Sequence, residues 1–310
     1  MRTLPLGNTG IEVSAMGLGT IFFGTRTDPE TSIQMMDCYL EAGGTFVDTA
    51  NIYNRLVPGF VGGESEALIG RWMRERKNRS KVFLVTKVGS DYQDVKRSLK
   101  AVDIERECEK SLGRLATGTI DLYLAHFDDR NTPLEETYEA FDRLVRKGKV
   151  RFIGGSNILA WRLEEIRQVI KAHGWPEYCC IQQRYSYLRP KPGADLGRQI
   201  FANEELIDYC RSRGILLQAY GPVLRGAYLA GFPIPEEYAG PDSDIRLATL
   251  KAIAEETGAT THQVLYAWLL EQGIMPLVGA DTVEQLKENL GGLEIQLSDE
   301  QMTRLNNASA

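Results

Sequence analysis

The chain has 310 residues, 43% hydrophobic and 25% charged, with a formal net charge of −6. This is a globular composition without low-complexity tracts, and its acidic balance argues against a nucleic-acid surface. No apolar run approaches the roughly 20 residues that span a bilayer, so no membrane partner is expected. The opening MRTLPLGNTG has no apolar export core, which points to a cytoplasmic protein. The five cysteines (Cys38, Cys108, Cys179, Cys180 and Cys210) lack paired zinc-site spacing and read as reduced thiols. Cys179 and Cys180 would point to opposite faces of a strand.

From the N-terminus, two short apolar stretches flank Gly7-Asn8-Thr9-Gly10, which predicts a β-hairpin and then a first strand near 13–19. Ile33, Met36, Tyr39 and Leu40 fall at helical spacing over 31–42, and Gly43-Gly44 ends that segment. Further apolar strands are expected at 45–49, 82–87, 120–126, 150–156, 178–184, 214–220 and 274–280. Helical patterns separate nearly all of them, at 64–76, 103–115, 133–147, 160–173 and 203–213, with a pair between 246 and 272 and one more at 282–290. Thr132 before Pro133, with Glu135 following, reads as a capped helix start.

Near-continuous apolar strands alternating with helices mean a parallel sheet covered on both faces. Eight such units predict an α/β fold, a (β/α)8 TIM barrel, as one domain over 1–310. A doubly wound sheet is the rival, but the first strand–helix turn lacks GxGxxG. Long loops are expected at the C-terminal mouth, at 54–63, 186–202 and 221–245. Their aromatics, Phe60, Tyr187, Tyr228, Phe232 and Tyr238, read as pocket walls.

Three strand ends carry chemistry. Asp48 closes one apolar run, Lys87 closes VFLVTK and His126 closes LYLAH, while Tyr53 follows Asp48 by five residues. A partly buried lysine needs a partner, and Asp48 on the neighbouring strand supplies it. A nearby ammonium is expected to lower the phenol pKa of Tyr53 from about 10 towards the range of a proton donor. His126 at the same mouth can orient a carbonyl by hydrogen bonding. The other histidines, His173 and His262, sit near helix ends, and no HxH, HExxH or GxSxG occurs, so no metal and no serine nucleophile are expected.

With GLGT, FVDTANIY, GESEALIG, LVTKVG, DLYLAHFDD, GKVRFIGGSN, IQQRYSYL, LQAYGPV and ENL in order along the chain, the sequence resembles the aldo-keto reductase family. The resemblance implies an NAD(P)(H)-dependent oxidoreductase that interconverts a carbonyl of an aldehyde, ketone or sugar with an alcohol. It makes Asp48, Tyr53, Lys87 and His126 a catalytic tetrad, with Tyr53 the general acid/base. It assigns Ser156, Asn157 and Gln182 to the nicotinamide carboxamide and Tyr220 to stacking on the ring. Further cofactor contacts are implied at Gly19, Thr20, Asp48, Gly221, Pro222, Val223, Leu224, Gly226, Gly279, Ala280, Asp281, Gln285, Glu288 and Asn289. Candidate substrate contacts are Phe22, Phe23, Tyr53, Phe60, His126, Phe127, Tyr187 and Tyr228. The partner is then a small-molecule carbonyl or sugar.

The eighth loop departs from the family pattern. Where relatives carry a basic residue for the 2′-phosphate of NADP(H), this chain has Asp281 and Gln285, with Lys287 close by. A charge pair at about 4 Å is worth roughly 4 kcal/mol at an effective dielectric of 20, and Asp281 reverses its sign. NAD(H) or dual use is therefore expected in place of NADP(H) alone. Two rival readings remain: a cofactor-binding regulatory subunit resembling potassium-channel β subunits, and a Schiff-base lyase using Lys87.

Overall fold

In the computed structural model, residues 1–91, 96–229 and 231–309 are described. A short hairpin, β1 (Thr3–Pro5) and β2 (Glu12–Ser14), precedes the barrel. The barrel strands are β3 (Gly17–Gly19), β4 (Phe46–Asp48), β5 (Phe83–Val88), β6 (Ile120–Ala125), β7 (Val150–Ser156), β8 (Tyr178–Arg184), β9 (Leu216–Tyr220) and β10 (Met275–Val278). They close in the order β10-β3-β4-β5-β6-β7-β8-β9, every pairing parallel. The expected (β/α)8 barrel with its N-terminal hairpin is therefore present.

The helices are α1 (Pro29–Glu41), α2 (Glu64–Arg76), α3 (Ala101–Leu115), α4 (Leu134–Arg146), α5 (Ala160–His173), α6 (Glu204–Arg213), α7 (Pro241–Thr257), α8 (Thr261–Glu271), α9 (Val283–Leu290) and α10 (Asp299–Asn307). None is long and apolar enough to cross a membrane. One apolar layer lies between strands and helices, with Met36, Trp72, Ile104, Phe141, Ile166 and Leu265 buried in it. A second fills the barrel: Phe46, Phe83, Val85, Leu122, Leu124, Cys180 and Met275 pack together, and the hairpin adds Leu6 and Val13. Side chains alternate across each strand, so both layers come from the same short runs. The plug closes the N-terminal end and leaves the C-terminal end as the mouth.

Local differences from the expected elements have physical causes. The run 13–19 divides: Glu12–Ser14 pairs with the hairpin, and only Gly17–Gly19 enters the barrel. The Ser14 hydroxyl binds the Met16 carbonyl and accepts from the amides of Thr45 and Phe46, which turns the chain between the two strands. Thr132 does not cap α4; its hydroxyl donates to Asp129 and Pro133 takes the cap position. α7 starts at Pro241, a favoured first-turn residue, which shortens the loop expected to reach 245. α10 was not anticipated, although Ser298 and Gln301 form its capping box and S-x-x-Q is the signature of that motif.

Candidate active site

The residues of the mouth sit where strands end, which is where barrel enzymes place catalytic groups. Asp48 is the last residue of β4, and Lys87 lies in β5. Lys87 is wholly buried, and its ammonium donates to Asp48 Oδ1 at 2.6 Å, the Thr49 carbonyl at 2.7 Å and the Tyr53 hydroxyl at 2.8 Å. Three donors meet three acceptors, so the ammonium is fully satisfied. Tyr53 also reaches Asp48 Oδ1, at 3.3 Å, longer than a good O–H···O bond. The other Asp48 oxygen accepts from Gln182 Nε2 at 2.8 Å, and the same amide donates to Gln218 Oε1 at 3.1 Å.

His126 follows β6 and packs edge-on to Tyr53 with ring centroids 6.3 Å apart. Phe127 stacks on its other side at 4.9 Å. The buried Nδ1 of His126 has no hydrogen-bond partner. Burial, and then the Lys87 charge, hold the imidazole well below the usual histidine range, so it is neutral. Burial pulls the Lys87 ammonium down against the opposing pull of Asp48.

Tyr53 differs from the sequence expectation. Burial, followed by the Asp48 charge, pushes its phenol well above the usual range. The ammonium that was to lower it is itself tied to Asp48, whose negative charge, 3.3 Å from the phenol, opposes it.

The turn after β7 is built around Asn157, at φ 55. Its Nδ2 donates to the His126 carbonyl and Ser156 Oγ, and its Oδ1 accepts from Tyr220 at 2.7 Å and from the Ile200 amide at 3.1 Å. Its side-chain polar groups are thus engaged within the protein. Among the described residues, the Ser156 hydroxyl proton and Gln182 Oε1 keep capacity for a carboxamide. Tyr220 is half-buried, with its ring orientation fixed through Asn157.

After β9 the backbone makes a tight turn in which Leu224, Arg225 and Gly226 have φ of 45°, 58° and 90°. Left-handed conformations at two non-glycine residues cost of order 1–3 kcal/mol each and concentrate at functional sites. A Cβ at Gly221 or Gly279 would meet nothing within 4 Å, so both strand ends border open space. A half-buried aromatic ring, a serine hydroxyl, an amide oxygen and this open rim suit a nicotinamide nucleotide. Thr20 is different: it is buried, with its hydroxyl on the Asp48 carbonyl and Ser65, so it supports Asp48 from beneath.

In the eighth loop Asp281 and Gln285 are exposed, and the Gln285 side chain accepts from the Asp281 amide at 2.9 Å. Lys287 is exposed on α9, and its charge opposes the rise in the Cys38 thiol pKa that burial causes. Glu288 is exposed, and Asn289 is buried with its amide on the Gly279 carbonyl. Ala280 is partly buried against the core.

The aromatic wall expected from the loops needs correction. Tyr187 is buried against Trp268, with its hydroxyl on the Leu305 carbonyl, and Tyr228 is buried with its hydroxyl accepting from the Leu188 amide. Both hold loop to helix layer and do not line the mouth. Tyr238 and Phe23 are buried too. Phe22 under Arg26, exposed Phe60, and Phe127 remain as candidates.

Sequence reasoning missed Gln218, Gln183 and the Thr49 carbonyl. Gln183 points away from Gln182 on the same strand, accepting from the Asn157 amide and donating to the Ile158 carbonyl, which fixes the left-handed turn. Adjacent glutamines in an apolar strand were the available signal, since neither face of a barrel strand buries an unpaired amide cheaply.

A family model described as the aldo/keto reductase family matches residues 15–310. The chain is 33% identical to an uncharacterized oxidoreductase, YrpG, of Bacillus subtilis (strain 168), over 97% of this chain and 94% of that protein. It is 32% identical to the norsolorinic acid reductase stcV of Emericella nidulans, over 94% of this chain and 77% of that one. The crystal structure of the thermostable aldo-keto reductase Tm1743 with the inhibitor epalrestat matches with a TM-score of 0.79 and 31% identity, covering 100% of both chains. The chain belongs to the aldo/keto reductase family.

Proposed function

We propose that this oxidoreductase reduces the carbonyl of a small molecule, and oxidises the matching alcohol, with Tyr53 as general acid and base. Aldo/keto reductases generally use NAD(P)H, which when bound supplies hydride to the carbonyl carbon. The observation that carries the reading is the Lys87 ammonium shared between Asp48 and Tyr53. Because Tyr53 accepts from Lys87 and bonds only weakly to Asp48, its proton is available to a carbonyl oxygen above it. The raised pKa keeps that proton on the phenol at neutral pH. As it leaves, the 2.8 Å ammonium contact stabilises the phenolate that forms. Neutral His126, through Nε2, holds the carbonyl oxygen against Tyr53. Ser156 and Gln182 take the carboxamide, and Tyr220 flanks the ring.

On the same reading Asp281 favours NAD(H), or use of both cofactors, because an exposed carboxylate at this loop would repel a 2′-phosphate. The complete hydrogen bonding of Lys87 disfavours its use as a Schiff-base nucleophile. Nothing in the site favours the non-catalytic subunit.

The test is Tyr53→Phe. Reduction of aromatic aldehydes should fall by about 10²–10⁴ while cofactor still quenches protein fluorescence. Retained turnover would remove Tyr53 from the mechanism.

A further inference from the structure

Three loops meet at the mouth through one aspartate. Asp91 lies four residues beyond Lys87, past the end of β5. Its Oδ2 accepts from Arg198 Nη1 at 2.5 Å, and its carbonyl accepts from Arg55 Nη1. Arg55 is two residues beyond Tyr53, in the loop after β4. Arg198 belongs to the loop after β8, two residues before Ile200, whose amide bonds Asn157. Since β5 and β8 stand three places apart in the eight-stranded barrel, the Asp91–Arg198 pair crosses the mouth.

All three groups are substantially exposed, with side-chain exposures of 56% for Arg198 and 35% for Asp91. An exposed ion pair contributes little stability and yields to a competing anion. Beside Arg55 the same loop exposes Leu56, Phe60 and Val61. Two guanidiniums and an apolar edge thus converge on Asp91, Arg198 on its carboxylate and Arg55 on its main-chain carbonyl.

Resting on the carbonyl-reduction reading, we propose that Arg55 and Arg198 are specificity residues that take the carboxylate of an apolar carbonyl substrate in the place now held by Asp91. The substrate class is an aromatic or aliphatic aldehyde or ketone bearing a carboxylate. Asp91 sets the threshold: a neutral carbonyl compound leaves the strap closed, whereas a carboxylated one opens it by exchanging partners.

The test compares 4-formylbenzoate with its methyl ester in the intact chain. The readout is the ratio of the two kcat/KM values, so that differences in intrinsic reactivity cancel between variants. The ratio should fall about tenfold in Arg198→Ala and in Arg55→Ala, and rise by a similar factor in Asp91→Asn. Calorimetric titration with 4-(hydroxymethyl)benzoate and its methyl ester reads the same preference without turnover, and thermal melting confirms that each variant is folded. Ratios that stay within twofold of the parent in all three variants, in turnover and in binding alike, would overturn the proposal. Absence of turnover with the binding preference intact and shifted as above would strike the carbonyl-reduction reading and leave this one standing.

Discussion

At the floor of the mouth, Lys87 has every ammonium proton placed, and both Asp48 oxygens are engaged by Lys87 and Gln182. At the rim beyond β10, Asp281 and Gln285 are exposed and bond chiefly to each other and to their own helix start. The first region is over-determined by burial; the second is free to vary. On the proposed reading, that difference separates what carbonyl reduction needs from what would distinguish one cofactor from another. It also predicts that changes at the floor alter stability and chemistry together, whereas changes at the rim alter selectivity alone.

The largest effect is expected from Lys87→Met. Removing one partner of a buried pair leaves Asp48 as an uncompensated buried charge, a loss of about 3–5 kcal/mol. Urea unfolding should show it, and carbonyl reduction should collapse with it. A loss below about 1 kcal/mol, the range of exposed pairs, would erase the distinction between floor and rim. Gln182→Leu is the next step down. It strips the donor from Asp48 Oδ2 and Gln218 Oε1, at about 1–3 kcal/mol for a buried group left unsatisfied. Cofactor affinity should weaken in parallel, because on the proposed reading the same side chain takes the carboxamide.

The floor was legible in the sequence because strand-end residues have one direction in which to point. Asp48, Lys87 and His126 each close an apolar run, and closure of the barrel brings them to one mouth. What was not legible depended on partners distant along the chain. The rise in the Tyr53 pKa comes from burial and from the charge of Asp48, which the order of residues does not disclose. Tyr187 and Tyr228 sit in long loops at the mouth, yet the first binds the Leu305 carbonyl of α10 and the second packs edge-on to His262 of α8. Composition makes a loop aromatic; only packing against α8 and α10 decides which way the rings face. Arg55, Asp91 and Arg198 lie on separate loops with no local pattern linking them.

A titration sharpens the contrast next. Burial holds His126 well below the usual range, and His262 is lowered in the same way. Below about pH 6.5 the unfolded chain protonates these rings while the folded chain does not, so stability falls as pH drops. The ceiling is about 1.4 kcal/mol per pH unit for each ring. Melting temperatures measured between pH 7.5 and 5 should therefore decline, and His126→Asn should flatten that decline. An unchanged slope would mean that His126 is protonated equally in both states.

The rim supplies the smallest change in stability and the cleanest change in choice. Asp281→Arg replaces an exposed side chain, so unfolding should stay within about 0.5 kcal/mol of the parent. On the proposed reading the new guanidinium would meet an adenosine 2′-phosphate where the parent presents a carboxylate, exchanging repulsion for attraction. Solvent reduces that gain well below its contact value, and the ratio of kcat/KM for NADPH over NADH should rise about tenfold. The parent must first show no tenfold preference for NADPH, or the reading of Asp281 fails at once. If the variant shifts the ratio only at low ionic strength, the contact is long-range. If the shift persists at 0.5 M salt, where the Debye length is only a few ångströms, the side chain touches the phosphate directly.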